Sequence, residues 1–189
     1  MALLNASLRK VANLDPMGTE IRHLSMAALK ENRRIEQSSE RIAPADLRDP
    51  SLIALWRYWL DKCPEGGLPL RSEIDPIRFP RLMPRMFIVN VVGEPPVFSY
   101  ALVGEENIEA HGSSFKGQDL RNLDGPWPGY GASLHEFYSY VAARRRPVAA
   151  RGEMSFLDKG FRRFEAIYLP LADEEGQVCR ILGAAHYSS

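Results

Sequence analysis

From Met86 onward the periodicity of this sequence changes from helical to strand-like, and that change constrains the fold more than any other feature. Met86–Val92 is rich in β-branched residues and closes with Gly93-Glu94-Pro95-Pro96. Val97–Val103 follows, placing Phe98, Tyr100 and Leu102 on one face, so the two segments read as a hairpin. Glycines at 104, 112, 117, 125, 129 and 131, with Pro126 and Pro128, leave room only for short helices and loops. The spacing of Leu134, Phe137, Tyr138 and Val141 then predicts one stronger helix over residues 133–145, its C-terminal dipole met by Arg144, Arg145 and Arg146 before Pro147 ends it. Three further strands are expected at 148–156, 161–171 and 178–187, turned by Asp158-Lys159-Gly160 and by Asp173-Glu174-Glu175-Gly176. The pattern is α+β: two strands, short helices, one longer helix, three antiparallel strands.

Upstream, Asp49-Pro50 supplies a capping carboxylate and a proline at the first helical position, where its missing N–H costs nothing. The helix expected over 49–63 carries Leu52, Leu55, Trp56, Trp59 and Leu60 on one face and stops at Pro64-Glu65-Gly66-Gly67. Residues 1–48 read as a helical extension with two apolar stripes, Leu4, Leu8, Val11 and Ala12, then Ile21, Leu24, Ala28 and Ile35. Its charged second half suits a solvated or partner-packed helix. The main domain is expected at 49–189, with sheet and helices over 86–187.

Acidic and basic residues number 24 each, so nothing draws the chain toward nucleic acid or an anionic membrane surface. Cys63 and Cys179 stand far apart, which fits a reducing cytoplasm better than a disulfide framework or a zinc site. The N-terminus lacks the order of a signal peptide, and no apolar run is long enough to span a bilayer as a helix. For catalysis the sequence holds no Gly-x-Ser-x-Gly, phosphate-cradling glycine loop or His-Glu-x-x-His, and its adjacent carboxylates, Glu105-Glu106 and Asp173-Glu174-Glu175, fall in turns.

Several stretches carry a resemblance: Leu55-Trp56-Arg57-Tyr58-Trp59, Pro69-Leu70-Arg71-Ser72-Glu73-Ile74-Asp75-Pro76, Leu82-Met83-Pro84, Phe87-Ile88-Val89-Asn90-Val91 and Phe98-Ser99-Tyr100-Ala101-Leu102-Val103-Gly104. With Gly112 and Gly117 flanking a paired-glycine turn, Phe164-Glu165, Leu169-Pro170-Leu171 and Ile181-Leu182-Gly183, the chain resembles an alphaproteobacterial PAS-like family once catalogued as a domain of unknown function. The resemblance implies a PAS fold: a five-stranded antiparallel sheet covered by helices. The family's element around Pro69, Arg71, Asp75 and Pro76 is the most specific, and an Arg71–Asp75 bond is expected to fix that connector. Glu105-Glu106 departs from the Thr or Ser that commonly follows the glycine at 104.

The resemblance further implies a sensory or regulatory module that binds a small ligand, a signalling partner such as a histidine kinase, or both, without catalysing a reaction. No output domain fits in the remainder of the chain, so the signal would leave by contact. Because a sheet shows every second side chain to its covered face, the expected lining of a ligand pocket is Phe98, Tyr100, Leu102, Phe137, Val141, Met154, Ile167 and Leu169. No cofactor is named by the sequence. Neither cysteine falls where a flavin photocycle would need it; His135, on the long helix, is the one candidate haem ligand, weighed against a boundary histidine. His111 reads as a helix-end residue, with His23 and His186 outside the pocket. A homodimer joined partly through residues 1–48 is expected, with Leu52, Trp56 and Trp59 shared between core and interface. The competing readings are an α+β cone enzyme of isomerase or dehydratase type, which needs Asp, Glu or His beside a Tyr in the pocket, and a structural dimerisation module with a filled core.

Overall fold

The computed structural model describes residues 39–112, 114–123, 129–154 and 163–188. They form one antiparallel sheet of strands β1 (Ser39–Ile42), β2 (Met86–Val92), β3 (Val97–Val103), β4 (Val148–Glu153), β5 (Arg163–Ala172) and β6 (Val178–Ser188). The order across the sheet is β1-β4-β5-β6-β2-β3, so the first hairpin joins the last strand at the centre. Three α-helices accompany it: α1 (Pro50–Asp61), α2 (Glu105–His111) and α3 (Tyr130–Arg144). The stripes expected within residues 1–38, and the turn at 158–160, lie outside the described residues.

The sheet has six strands where the sequence reading expected five. Residues 39–42, assigned above to a helical extension, pair with β4 through Ser39↔Gly152 to Ile42↔Ala149. Helical spacing in the preceding residues says nothing about a four-residue edge strand, which takes its conformation from the neighbour it bonds to. The strands of the first hairpin, β2 and β3, have the expected bounds. The helix expected at 133–145 starts three residues earlier, because Gly129 (φ 90°) turns the chain into it.

Both faces of the sheet are covered, and β2 to β6 therefore carry apolar side chains at both parities. On one face α1 buries Leu52, Leu55 and Trp59 against Ile167, Leu169, Leu171, Leu182 and Ala184. Trp59 Nε1–H also donates to the Pro170 carbonyl at 3.0 Å. Leu52 and Trp59 are thus used up within the domain, at 0% and 3% exposure, and the expectation that they serve an interface is corrected; Trp56 is only partly buried. On the opposite face α3 packs Tyr138 and Val141 with Val148, Ile181, Val89 and Phe98.

A buried carboxylate fixes the entry to α1. Glu165, in β5, accepts hydrogen bonds from the Arg48 and Asp49 amides, both at 2.8 Å, while Asp49 Oδ1 caps the helix by accepting from Ser51 and Leu52. Arg151 lies 3.8 Å from the second Glu165 oxygen and donates to the Asp46 carbonyl. Asp49 Oδ2 faces Arg85 and His186, each at 3.3 Å. Removing the Glu165 carboxylate strands two amides and a mostly buried guanidinium. We therefore expect Glu165→Ala to lower unfolding free energy by about 3–5 kcal/mol, measured by urea denaturation; a loss within the range of an ordinary surface substitution would show that the cluster does not anchor α1.

Candidate functional site

The family-type connector is held by the backbone. Pro69 and Arg71 bond through their main chains to Ala172, and Asp75 Oδ1 accepts from Ile77 N–H to cap a short 3-10 turn that begins at Pro76. Among the described residues no Arg71–Asp75 ion pair forms, which corrects that expectation: both side chains are exposed, and water competes for them. Gly104 is required sterically, because a side-chain carbon there would meet the Pro84 carbonyl. Gly112 ends α2 in the left-handed region (φ 81°), and Gly117 donates its N–H to the Tyr100 carbonyl. Glu105 and Glu106 open α2, where carboxylates favour the helix dipole.

These turns hold α2 and α3 over the sheet without filling the space beneath them. A cavity of about 190 Å³ remains, and the sheet contributes Phe87, Tyr100, Val103, Ala150, Tyr168 and Tyr187 to its walls. Asn107 and His111 line it from α2, and Tyr130, Leu134, Phe137 and Tyr138 from α3. Gly183 makes room for the Phe87 ring, which would overlap any side chain there. Phe87 in turn packs its ring against Tyr168 at 5.5 Å, and Phe137 closes on Tyr168 at 4.6 Å.

Three of the eight residues expected to line a pocket, Tyr100, Phe137 and Met154, lie on this cavity. Phe98 and Val141 are sealed in the adjoining core. Ile167 and Leu169 are corrected to the opposite face, under α1. In a strand apolar on both sides, alternation fixes two sets of residues but not which set meets which helix. Leu102 is also corrected, for a different reason. The β2–β3 register shifts so that Val89 pairs with Tyr100 and Ile88 with Leu102, leaving Ala101 extra. That bulge reverses the parity of the strand, turning Leu102 toward α1 and bringing Val103 to the cavity.

His135 does not face the cavity. Its Nε2 lies 3.1 Å from the Pro96 carbonyl and its ring stands edge-on to Phe98. The nitrogen a haem iron would need is engaged away from the space, so His135 does not fit that role. His111, read from sequence as a helix end, is the histidine that lines the cavity, with Nδ1 3.0 Å from Tyr130 Oη. The thiols of Cys63 and Cys179 are absent from the lining, and burial pushes Cys63 up to about 11.

The cavity is apolar by area but ringed by phenols. Tyr100 and Tyr138 share a hydrogen bond at 3.0 Å, and Tyr187 donates to Asn107 Oδ1 at 2.7 Å while Asn107 Nδ2–H donates to the Met86 carbonyl. Burial pushes Tyr100 up to about 12 and drives Tyr130, Tyr138, Tyr168 and Tyr187 upward as well, so all five remain neutral over the physiological range. Among the described residues the lining contains no Asp, Glu, Lys or Arg.

A family model described as PAS domain matches residues 47–186. The chain belongs to the PAS domain family. The match spans α1, the whole of β2 to β5 and nearly all of β6, and it includes all the cavity-lining residues except Ser39 and Tyr187. No match is found among curated proteins. Among solved structures, this PAS domain aligns with that of "Flavin Analogue Sheds Light on Light-Oxygen-Voltage Domain Mechanism" at 15% identity and TM-score 0.39, covering 60% of this chain and 83% of the other. It aligns with "Structure of an RNA-binding Light-Oxygen-Voltage Receptor" at 13% identity and TM-score 0.36, covering 90% of this chain and 63% of that receptor's length.

The phenol ring yields a pH prediction. A tyrosine whose native pKa is raised keeps its proton in the folded state after the unfolded chain has lost it. Stability from this source is complete below the ordinary value of 10.0 and is lost as pH rises through the native value, about 12 for Tyr100. Each such group removes up to ~1.4 kcal/mol per pH unit. We expect the tyrosinate absorbance of these five, beyond that of Tyr58 and Tyr140, to appear together with loss of near-UV circular dichroism in one transition above pH 10; ionisation of more than two of the seven tyrosines with the native dichroism intact would contradict it.

Proposed function

We propose that this PAS domain is a sensory module whose ligand occupies the cavity between the sheet and helices α2 and α3, and whose signal passes by protein contact without catalysis. The observation that supports this most is the cavity itself. One face of the sheet is packed solid by α1, whereas the other keeps a space of about 190 Å³ walled by aromatic rings. A cavity of that size gives up packing contacts that a few larger side chains would restore, a cost that ligand binding offsets. An isomerase of the α+β cone type would need Asp, Glu or His beside a Tyr; the described lining holds no carboxylate, and His111 beside Tyr130 is the pair on which that competing reading would rest.

Tyr100, Phe137 and Met154 are the sequence candidates retained for this site, joined by Phe87, Tyr138 and Tyr168. A homodimer, and a partner of the histidine-kinase type in the cytoplasm, complete the reading. Among the described residues the half-buried Trp56 and the exposed Leu60 on α1, with the exposed Ile77 and Val92, are apolar side chains open to such contacts. Among the described residues no helix is long and apolar enough to cross a membrane.

Two measurements check the proposal. Native mass spectrometry of freshly purified protein is expected to show a small non-covalent adduct that Ala150→Phe, which places a ring in the cavity, abolishes while retaining the wild-type far-UV spectrum. An adduct that survives in the filled variant lies elsewhere. Light scattering of the full-length chain at micromolar concentration is expected to give a dimer; a monomer removes that part of the reading.

A further inference from the structure

Reading the cavity as a ligand site, we infer that it takes a neutral aromatic molecule of one or two rings bearing a carbonyl or similar acceptor oxygen, received by the phenol hydroxyls of Tyr168 and of the Tyr100–Tyr138 pair. Size sets the first limit: about 190 Å³ is somewhat more than the ~150 Å³ apolar cavity that accepts benzene. The walls set the second, because Phe87, Phe137 and Tyr168 present ring faces and edges that suit a flat aromatic body. Charge sets the third. A carboxylate or an amine would be stripped of water beside a described lining that holds no Asp, Glu, Lys or Arg to pair with it.

The acceptor oxygen follows from counting protons. Among the described residues the Tyr168 hydroxyl makes no hydrogen bond, although its ring is fixed by Phe87, Phe137 and Tyr138. It is nevertheless not one of the sealed, unsatisfied polar atoms, of which Arg151 Nε is the single case among the described residues, so it opens onto the cavity that its side chain lines. In the Tyr100–Tyr138 bond one hydroxyl donates and the other accepts, which leaves the accepting hydroxyl with its own proton to place. Tyr187 and Asn107, by contrast, already satisfy each other and the Met86 carbonyl. Two O–H protons on cavity-lining side chains therefore have no acceptor among the described residues. A carbonyl oxygen has two lone pairs to receive them, and a buried donor left unmet costs more than a buried lone pair.

The test uses the full chain and three probes of similar shape: acetophenone, α-methylstyrene, in which a methylene replaces the carbonyl oxygen, and benzoate. By calorimetric titration acetophenone should bind roughly tenfold more tightly than α-methylstyrene, as one or two added hydrogen bonds imply, and benzoate should not bind. Tyr168→Phe should retain the wild-type melting temperature, since the hydroxyl it removes has no partner in the protein, and should lose most of the preference for acetophenone. Equal binding of acetophenone and α-methylstyrene, or binding of benzoate, overturns the ligand class while leaving the cavity a ligand site. Full retention of the preference in Tyr168→Phe removes Tyr168 from the role. If none of the three binds, this ligand class falls, while the adduct measurement with Ala150→Phe decides separately whether the cavity is a ligand site.

Discussion

A single antiparallel sheet with helices on both sides has no face to give to water, and the rest of this structure follows from how differently the two faces are treated. The α1 side is an ordinary core: aliphatic side chains from β4, β5 and β6 meet Leu52, Leu55 and Trp59 with little left exposed. Its polar obligations are met at the margin, where Glu165 and Asp49 take the free amides at the start of α1. With that face immobilised, the opposite face can carry a void without loss of the fold. Rings do the walling there because Phe and Tyr span a gap with few torsional freedoms to lose, so the cavity keeps its shape when only part of each ring is in contact.

The sheet and its first hairpin could be read from the sequence because β-branched alternation and glycine- or proline-rich turns act locally. The two main helices could be read as well, from the Asp49-Pro50 cap and from the Phe137–Tyr138–Val141 stripe. The site was less legible. Ile167 and Leu169 alternate as strongly as Phe164 and Tyr168 do, and only the placement of α1 decides which pair sees the cavity. Leu102 was displaced by a one-residue bulge at Ala101, for which the run Tyr100-Ala101-Leu102-Val103 gives no sign. His111 and Tyr187 meet on the cavity wall from elements far apart in sequence, with ring centroids 6.5 Å apart. Tyrosines at alternate strand positions and on the long helix were the available signal; a phenol on a buried face needs a partner or a space, and five of the seven tyrosines in the chain line this one.

The edge strand β1 shows the limit of periodicity from another direction. Ser39-Glu40-Arg41-Ile42 has no strand-like alternation of its own, and it is extended because β4 offers an unpaired row of backbone groups. Its Arg41 lies over the Tyr140 ring at 4.6 Å and its Glu40 approaches Arg151 at 3.7 Å, so the side chains add modest fastening to a conformation that the backbone dictates.

That same strand determines what the outermost rim of the sheet presents to other chains. Without it, the bare edge would be β4, whose Val148-Ala149-Ala150 start is small, apolar and suited to recruiting a foreign strand. With it, the described rim at this edge is the four residues of β1, whose exposed Glu40 and Arg41 make it a poorer template for cross-strand growth. At this one edge of the sheet, four residues that contribute little to the core thereby occupy the backbone groups of β4 that a foreign strand would need.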